Sequence, residues 1–227
     1  AGTDTFRDDG TNLNSASIDV ADIETALEAG TNVVVTTTSG GSGTNGGRIT
    51  VAANINPALM GGGNQDVTLT LDAEDNIVIN AGVSISVANS DGGDRLSLDL
   101  QAVGDVIVSG VIDLTGGLDG SLNITANDVT LTGTLDSGAG VITIRSSQVG
   151  HQIDVGADNG GDMVITDAEL GQITATDLTI GGTNTDELLV EAVTVANTAN
   201  ISGILTLSAT QTGGSITFRD AASQFSA

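Results

Sequence analysis

The sequence predicts an all-β fold, a parallel β-solenoid (β-helix) of roughly eight or nine coils. Three observations carry this. Short runs of alternating aliphatic residues recur at intervals of roughly twenty to thirty residues, the signature of a repeat whose units must stack to bury their apolar faces. Gly, Asn and Asp, the turn formers, separate the runs. Aromatic residues make up only 1% of the 227 residues, as expected of a narrow interior filled by ladders of Val, Ile, Leu and Ala.

The first set of runs is Ile49-Thr50-Val51, Val67-Thr68-Leu69, Leu96-Ser97-Leu98, Leu122-Asn123-Ile124, Ile142-Thr143-Ile144, Val164-Ile165, Leu189-Val190 and Ile216-Thr217-Phe218. A second run follows most of them after about ten residues, as in Ile77-Val78-Ile79, Val106-Ile107-Val108, Val129-Thr130-Leu131, Ile153-Asp154-Val155, Leu178-Thr179-Ile180 and Leu205-Thr206-Leu207. Alternation with period two marks strands, because residues i and i+2 share a face. Ile107, Leu131 and Ile144 are accordingly assigned inward and Thr143 outward. One segment breaks the pattern. In SIDVADIETALEAG (17–30), Val20, Ile23, Ala26 and Leu27 fall on one helical face, Ser17 or Asp19 can cap the start, and Gly30 suits the position after the end. This predicts one short helix near residues 18–29 that covers part of the stack.

Residue usage does not change along the chain, so residues 1–227 read as a single domain. The formal charge of -24, from 29 acidic residues against five Arg, excludes nucleic acid and anionic membrane surfaces as electrostatic partners. No apolar run is long enough to cross a bilayer as a helix, so no membrane insertion is expected. The acidic, Lys-free surface suits a salty or divalent-rich medium outside the cell. With no Cys, there is neither a disulfide nor a thiolate metal site.

Residues 19–55, DVADIETALEAGTNVVVTTTSGGSGTNGGRITVAANI, resemble a recurring segment of the filamentous-haemagglutinin-like large exoproteins secreted by the two-partner route. Residues 163–190, MVITDAELGQITATDLTIGGTNTDELLV, and the stretch GGSITFRDAASQF (213–225) are similar to repeats of the same family. The resemblance implies a right-handed parallel β-helix, export to the cell surface or beyond, and a role as adhesin or extended fibre. It also implies that the chain is a segment or processed unit of a longer protein or fibre. Thr5-Phe6-Arg7-Asp8 and Thr217-Phe218-Arg219-Asp220 echo each other, which raises a tandem repeat of the whole segment.

Candidate chemistry is sparse, and no catalytic residue or organic cofactor is assigned. Solenoids that cleave acidic polysaccharides need clustered carboxylates beside basic residues. Here Arg7, Arg48, Arg95, Arg145 and Arg219 are scattered, Asp8-Asp9 stand apart from the coils, and Asp72, Glu74 and Asp75 read as a solvated turn. His151, the single histidine, makes neither a zinc site nor a catalytic triad. Calcium is the one metal considered, because Asp91 and Asp94 in one Gly-rich loop and Asp158 and Asp162 in another offer hard oxygen ligands. Asn, Asp and Gly are equally the residues that turn a corner. Outward Thr residues raise an ice-binding face, but they do not recur in register. Phe6, Phe218 and Phe225 lie at the chain ends and are expected to supply end-to-end contacts between copies, head to tail. The expected role is an extracellular structural or adhesive rod rather than an enzyme, with a carbohydrate-binding or polysaccharide-cleaving β-helix as the alternative and surface glycans as candidate ligands.

Overall fold

The computed structural model describes residues 3–7, 17–37, 46–60, 64–90, 92–219 and 222–226. Its strands are short, and all the strand pairs among these residues are parallel. The chain is all-β with parallel sheets, as expected.

The longest sheet takes eight strands in the order in which the sequence supplies them: Thr3–Arg7, Asn32–Thr36, Asp66–Ala73, Arg95–Ala102, Leu122–Ala126, Val141–Ser146, Asp177–Gly182 and Leu205–Ala209. Between successive visits the chain adds strands to other sheets. A second sheet stacks Ile49–Val51, Ile77–Ile79, Val106–Val108 and Val129–Leu131, and a third stacks Ser84–Ser86, Val111–Asp113, Thr134–Asp136 and Ile173–Thr174. A fourth contains Met163–Thr166, His151–Gly156, Thr185–Glu191 and Ser215–Phe218, in that spatial order.

Stacking in register turns the sequence alternation into continuous aliphatic rows. In the long sheet, Val33, Leu69, Leu98, Leu122, Ile142, Leu178 and Leu205 form one row, and Val35, Leu71, Leu100, Ile124, Ile144, Ile180 and Leu207 the next. The second sheet faces them with Ile49, Ile77, Val106 and Val129 and with Val51, Ile79, Val108 and Leu131. Buried residues from Ile23 to Ile201 join one contiguous core. At about 25 cal/mol per Å² of apolar surface, each strand added to a row stabilises its neighbours as well as itself.

The register corrects one inward assignment. Ile107 lies opposite Val78 and Thr130 on the outer side and is half-buried, while Val106 and Val108 on either side of it are fully buried. Val-Ile-Val is apolar at every position and does not mark its own phase, so the neighbouring rungs fix it: outward Thr50 and Thr130 align with Ile107. Leu131 and Ile144 are inward as expected. Thr143 takes an outward register position yet is only 8% exposed.

The predicted helix is present as α1, Val20–Glu28. Asp19 caps it by accepting from Ala21 N at 3.0 Å, and Gly30 adopts φ +76°, a backbone that favours glycine. Ile23, Ala26 and Leu27 are buried. Glu24 and Glu28 accept backbone N–H groups of Asn56 and Ala58, at 2.6 and 2.8 Å, and tie α1 to the chain beside it. Two one-turn helices occupy later corners, α2 (Asp167–Leu170) and α3 (Val195–Thr198). Thr166 and Glu169 form a capping box on α2.

The intervals between successive strands of the long sheet are unequal. Along the first core row the interval is 36 residues from Val33 to Leu69, 20 from Leu122 to Ile142 and 36 again from Ile142 to Leu178. The last long interval contains two adjacent parallel strands, His151–Gly156 and Met163–Thr166, joined by residues 157–162 alone. Parallel neighbours ordinarily need a crossover of about a dozen residues or more, so this short return requires its own anchor.

Candidate functional site

That anchor is Asp154. It sits mid-strand on the side away from the core row Ile153 and Val155, yet it is fully buried. One carboxylate oxygen accepts Asn159 N at 2.6 Å and Gly161 N at 2.9 Å, and the other accepts Gln152 Nε2 at 2.8 Å. The loop 157–162 therefore folds back over its own strand. A Cβ on Gly161 would stand 2.8 Å from the Asp154 carboxylate, so only glycine allows the approach. Asp154 does not stand out among the residues, because Ile-Asp-Val reads like any triplet with a polar outward residue. The nearest signal is the Asn159-Gly160-Gly161 run that follows it.

Other carboxylates do the same work at the corners between circuits. Asp128 accepts Val164 N (2.9 Å), Glu169 accepts Leu131 N (2.9 Å), Asp177 accepts Ile204 N (2.7 Å) and Asp167 accepts Thr194 N (2.7 Å) and Asn197 Nδ2 (2.7 Å). These bonds satisfy backbone donors where the strand ladders stop. Burial pushes the Asp128 carboxyl above its ordinary value. The N–H groups of Val164 and Val129 pull it down by less, and the charges of Asp105 and Glu169 add to the rise. At Asp167 burial also acts upward, but the hydrogen bonds from Thr194 and Asn197 together outweigh it and hold the carboxyl low.

The residues considered for calcium have protein partners or lie apart. Asp94 is fully buried and accepts Gln65 N at 2.7 Å. Asp158 accepts Gly160 N at 2.8 Å within its own turn, and Asp162 accepts Gln152 N at 3.0 Å. Asp91 lies outside the described residues. Among the described residues, no three His, Cys, Asp or Glu side chains are grouped so as to hold a metal ion. His151 opens its strand half-buried, its Nδ1 enclosed and without a hydrogen-bond partner among the described residues.

Among the described residues, the outer face of the long sheet carries a concave polar feature that sequence reading did not assemble. Asp99, Asn123 and Thr143 align across three strands, and Gln101, Thr125 and Arg145 align beside them. Together they line a shallow groove of about 310 Å³. Gln101 Nε2 donates to Asp99 at 2.6 Å. With strands about 4.8 Å apart, Asp99 and Thr143 are separated by roughly 10 Å, about the length of two linked sugar units. The lining provides one carboxylate, whereas glycoside cleavage ordinarily employs two.

The three Phe residues part company. Phe6 stands opposite Val35 in the backbone register of the first strand, and its side chain lies outside the described residues. Phe225 is half-buried and packs on the chain's own core. Phe218 is 62% exposed. The two Thr-Phe-Arg-Asp echoes enter different sheets, Phe6 in the long sheet and Phe218 in the fourth, so they are not equivalent positions of one repeat.

No family model, curated protein or solved structure matches this chain. Nothing in these comparisons identifies a filamentous-haemagglutinin-like protein. No helix among the described residues is long and apolar enough to cross a membrane.

Proposed function

We propose that this chain is a right-handed parallel β-solenoid acting as a rigid structural or adhesive rod outside the cell, the shaft of a surface adhesin or a unit of a filament. One observation carries the reading: two aliphatic rows run unbroken through seven consecutive strands of the long sheet, closed by further parallel sheets. Such a body is stiff along its stacking axis, because every circuit shares both backbone bonds and side-chain contacts with the next. The extracellular placement rests on the Lys-free acidic composition and on the family resemblance. Electron microscopy tests the shape. At about 4.8 Å per strand, eight strands give a stack roughly 40 Å long per copy, so a shaft or filament is expected as particles several times that length, and material that never exceeds the length of one copy would overturn the reading.

A second reading, carbohydrate recognition, is favoured by the Asp99–Arg145 groove, whose amide, hydroxyl, carboxylate and guanidinium groups suit sugar hydroxyls. With a single carboxylate in its lining, the groove suits binding better than cleavage. A glycan array with the wild-type chain and with Asn123→Ala separates this from a purely structural role. Release of reducing sugar that is lost in Asp99→Asn would overturn the structural reading itself.

A further inference from the structure

The groove on the outer face of the long sheet holds hydrogen-bonding groups that the fold leaves unused. At the corners, polar side chains such as Asp154, Asp128 and Asp177 are taken up by backbone donors. In the groove, the side chains of Asn123, Thr125, Thr143 and Arg145 make no hydrogen bond or ion pair among the described residues. Asp99 differs from them, held by Gln101 Nε2 at 2.6 Å. Register sets the four together on two neighbouring strands, Asn123 opposite Thr143 and Thr125 opposite Arg145, so all four project from one face.

Arg145 is the cation of this lining. Arg95 pairs with Asp66 at 3.7 Å and donates to the Asp119 carbonyl, and Arg219 donates to Asn159. Arg145 is exposed and has no acidic partner among the described residues, in a chain with 29 acidic residues. Its stem lies along Gly182, where a Cβ would stand 3.4 Å from Arg145 Cδ and 3.5 Å from Nε. Gly182 is itself fixed, its N–H donating to Thr185 Oγ1 at 3.1 Å and its carbonyl accepting Thr210 N at 3.1 Å. The guanidinium therefore stands beside a fixed backbone with its donors unclaimed. Such a group forks onto a planar carboxylate in two parallel bonds, and the amide and hydroxyls next to it match the hydroxyls of a sugar. A net charge of -24 repels a ligand with many anionic groups, so one carboxylate on an otherwise neutral ligand is what one guanidinium accommodates.

We propose that the groove binds an acidic sugar within an otherwise neutral glycan, with Arg145 taking the sugar carboxylate and Asn123, Thr125 and Thr143 taking hydroxyls of that unit and its neighbour. The inference rests on the carbohydrate reading of this groove and adds to it the class of sugar. Asp99, already engaged by Gln101, marks the end of the groove away from Arg145 and keeps a second carboxylate out of it by repulsion.

The test is a titration of the 227-residue chain with three probes: a disaccharide of one hexuronic acid and one neutral hexose, the methyl ester of the same disaccharide, and free acetate. Binding is followed by the amide chemical shifts of Leu122–Ala126 and Val141–Ser146. The acid disaccharide is expected to bind at least about tenfold more tightly than either the ester or acetate. Arg145→Gln is expected to bring the acid form down to the affinity of the ester. Gly182→Asp, which sets a carboxylate beside the Arg145 guanidinium, is expected to do the same by occupying it from within the chain. Asn123→Ala is expected to weaken both forms of the disaccharide. Far-UV circular dichroism verifies that each variant is folded. Equal binding of acid and ester, an acid preference that survives Arg145→Gln, or acetate binding as tightly as the acid disaccharide would overturn the inference and leave the carbohydrate reading standing. Shift changes with no disaccharide at all would overturn both.

Discussion

Replacing Asp154 by Ala removes the acceptor of three hydrogen bonds at once, those from Asn159 N, Gly161 N and Gln152 Nε2. A hydrogen bond to a charged acceptor contributes about 1.5–3 kcal/mol net. The two backbone bonds therefore set an upper range of about 3–6 kcal/mol. Relief of a buried charge lowers this, as does hydration of the freed loop, leaving an expected loss of about 3 kcal/mol. For a chain of this length that is a fall in Tm of roughly 6–12 °C. Asp154→Asn retains one acceptor oxygen but turns an amide N–H₂ toward a backbone donor or Gln152, so roughly half the loss is expected. Gly161→Ala, whose Cβ would stand 2.8 Å from the carboxylate, is expected to reproduce much of the effect without touching the charge. Urea unfolding followed by circular dichroism measures the loss, and amide exchange at Asn159 and Gly161 measures the anchor directly. A loss below about 0.5 kcal/mol for Asp154→Ala, within the range of an ordinary surface change, together with unaltered exchange at those two amides, would refute the assignment of Asp154 as the anchor of the return loop.

Other outcomes follow from register and electrostatics. Val108→Asp is expected to cost at least about 3 kcal/mol by placing an unpaired charge in the core row, whereas Ile107→Asp, one residue away on the outer side, should cost under about 1 kcal/mol; equal losses in urea unfolding would show that the rung phase is wrong. Asp128 has a raised carboxyl pKa in the folded chain, so its contribution is favourable below the unfolded value near pH 4 and is lost as pH rises through the folded one. Asp128→Asn, which keeps an acceptor oxygen for Val164 N, should thus raise Tm at pH 7 and lose that advantage near pH 3. Asp167 behaves oppositely: its carboxyl is held low, and its contribution, present above about pH 4, disappears as pH falls through the folded value, so Asp167→Asn should lower Tm at pH 7 and matter least in acid. Millimolar calcium against a chelator is expected to leave Tm unchanged, because oxygens of Asp158 and Asp162 already accept backbone donors; a calcium-dependent rise of several degrees would assign a metal role to those loops.

Strand positions, the all-β class and α1 with its Asp19 cap and Gly30 terminus were legible in the residues, because period-two alternation, helical spacing and cap chemistry are local properties. The phase of Val106-Ile107-Val108 was not, since a run apolar at every position is set by the rungs on either side. Nor was the groove, whose six polar residues come from three strands and meet only through register. The repeat of short strands, the aliphatic filling and the acidic, Cys-free composition are written in the residues themselves. That residues 157–162 turn back on their own strand, that Asp154 is buried beneath them, and that Phe225 packs inward while Phe218 stays exposed emerges from the folded chain alone. The physical reason is that burial of an outward or terminal side chain depends on what another part of the chain lays over it, and the residue's own neighbours in sequence carry no record of that.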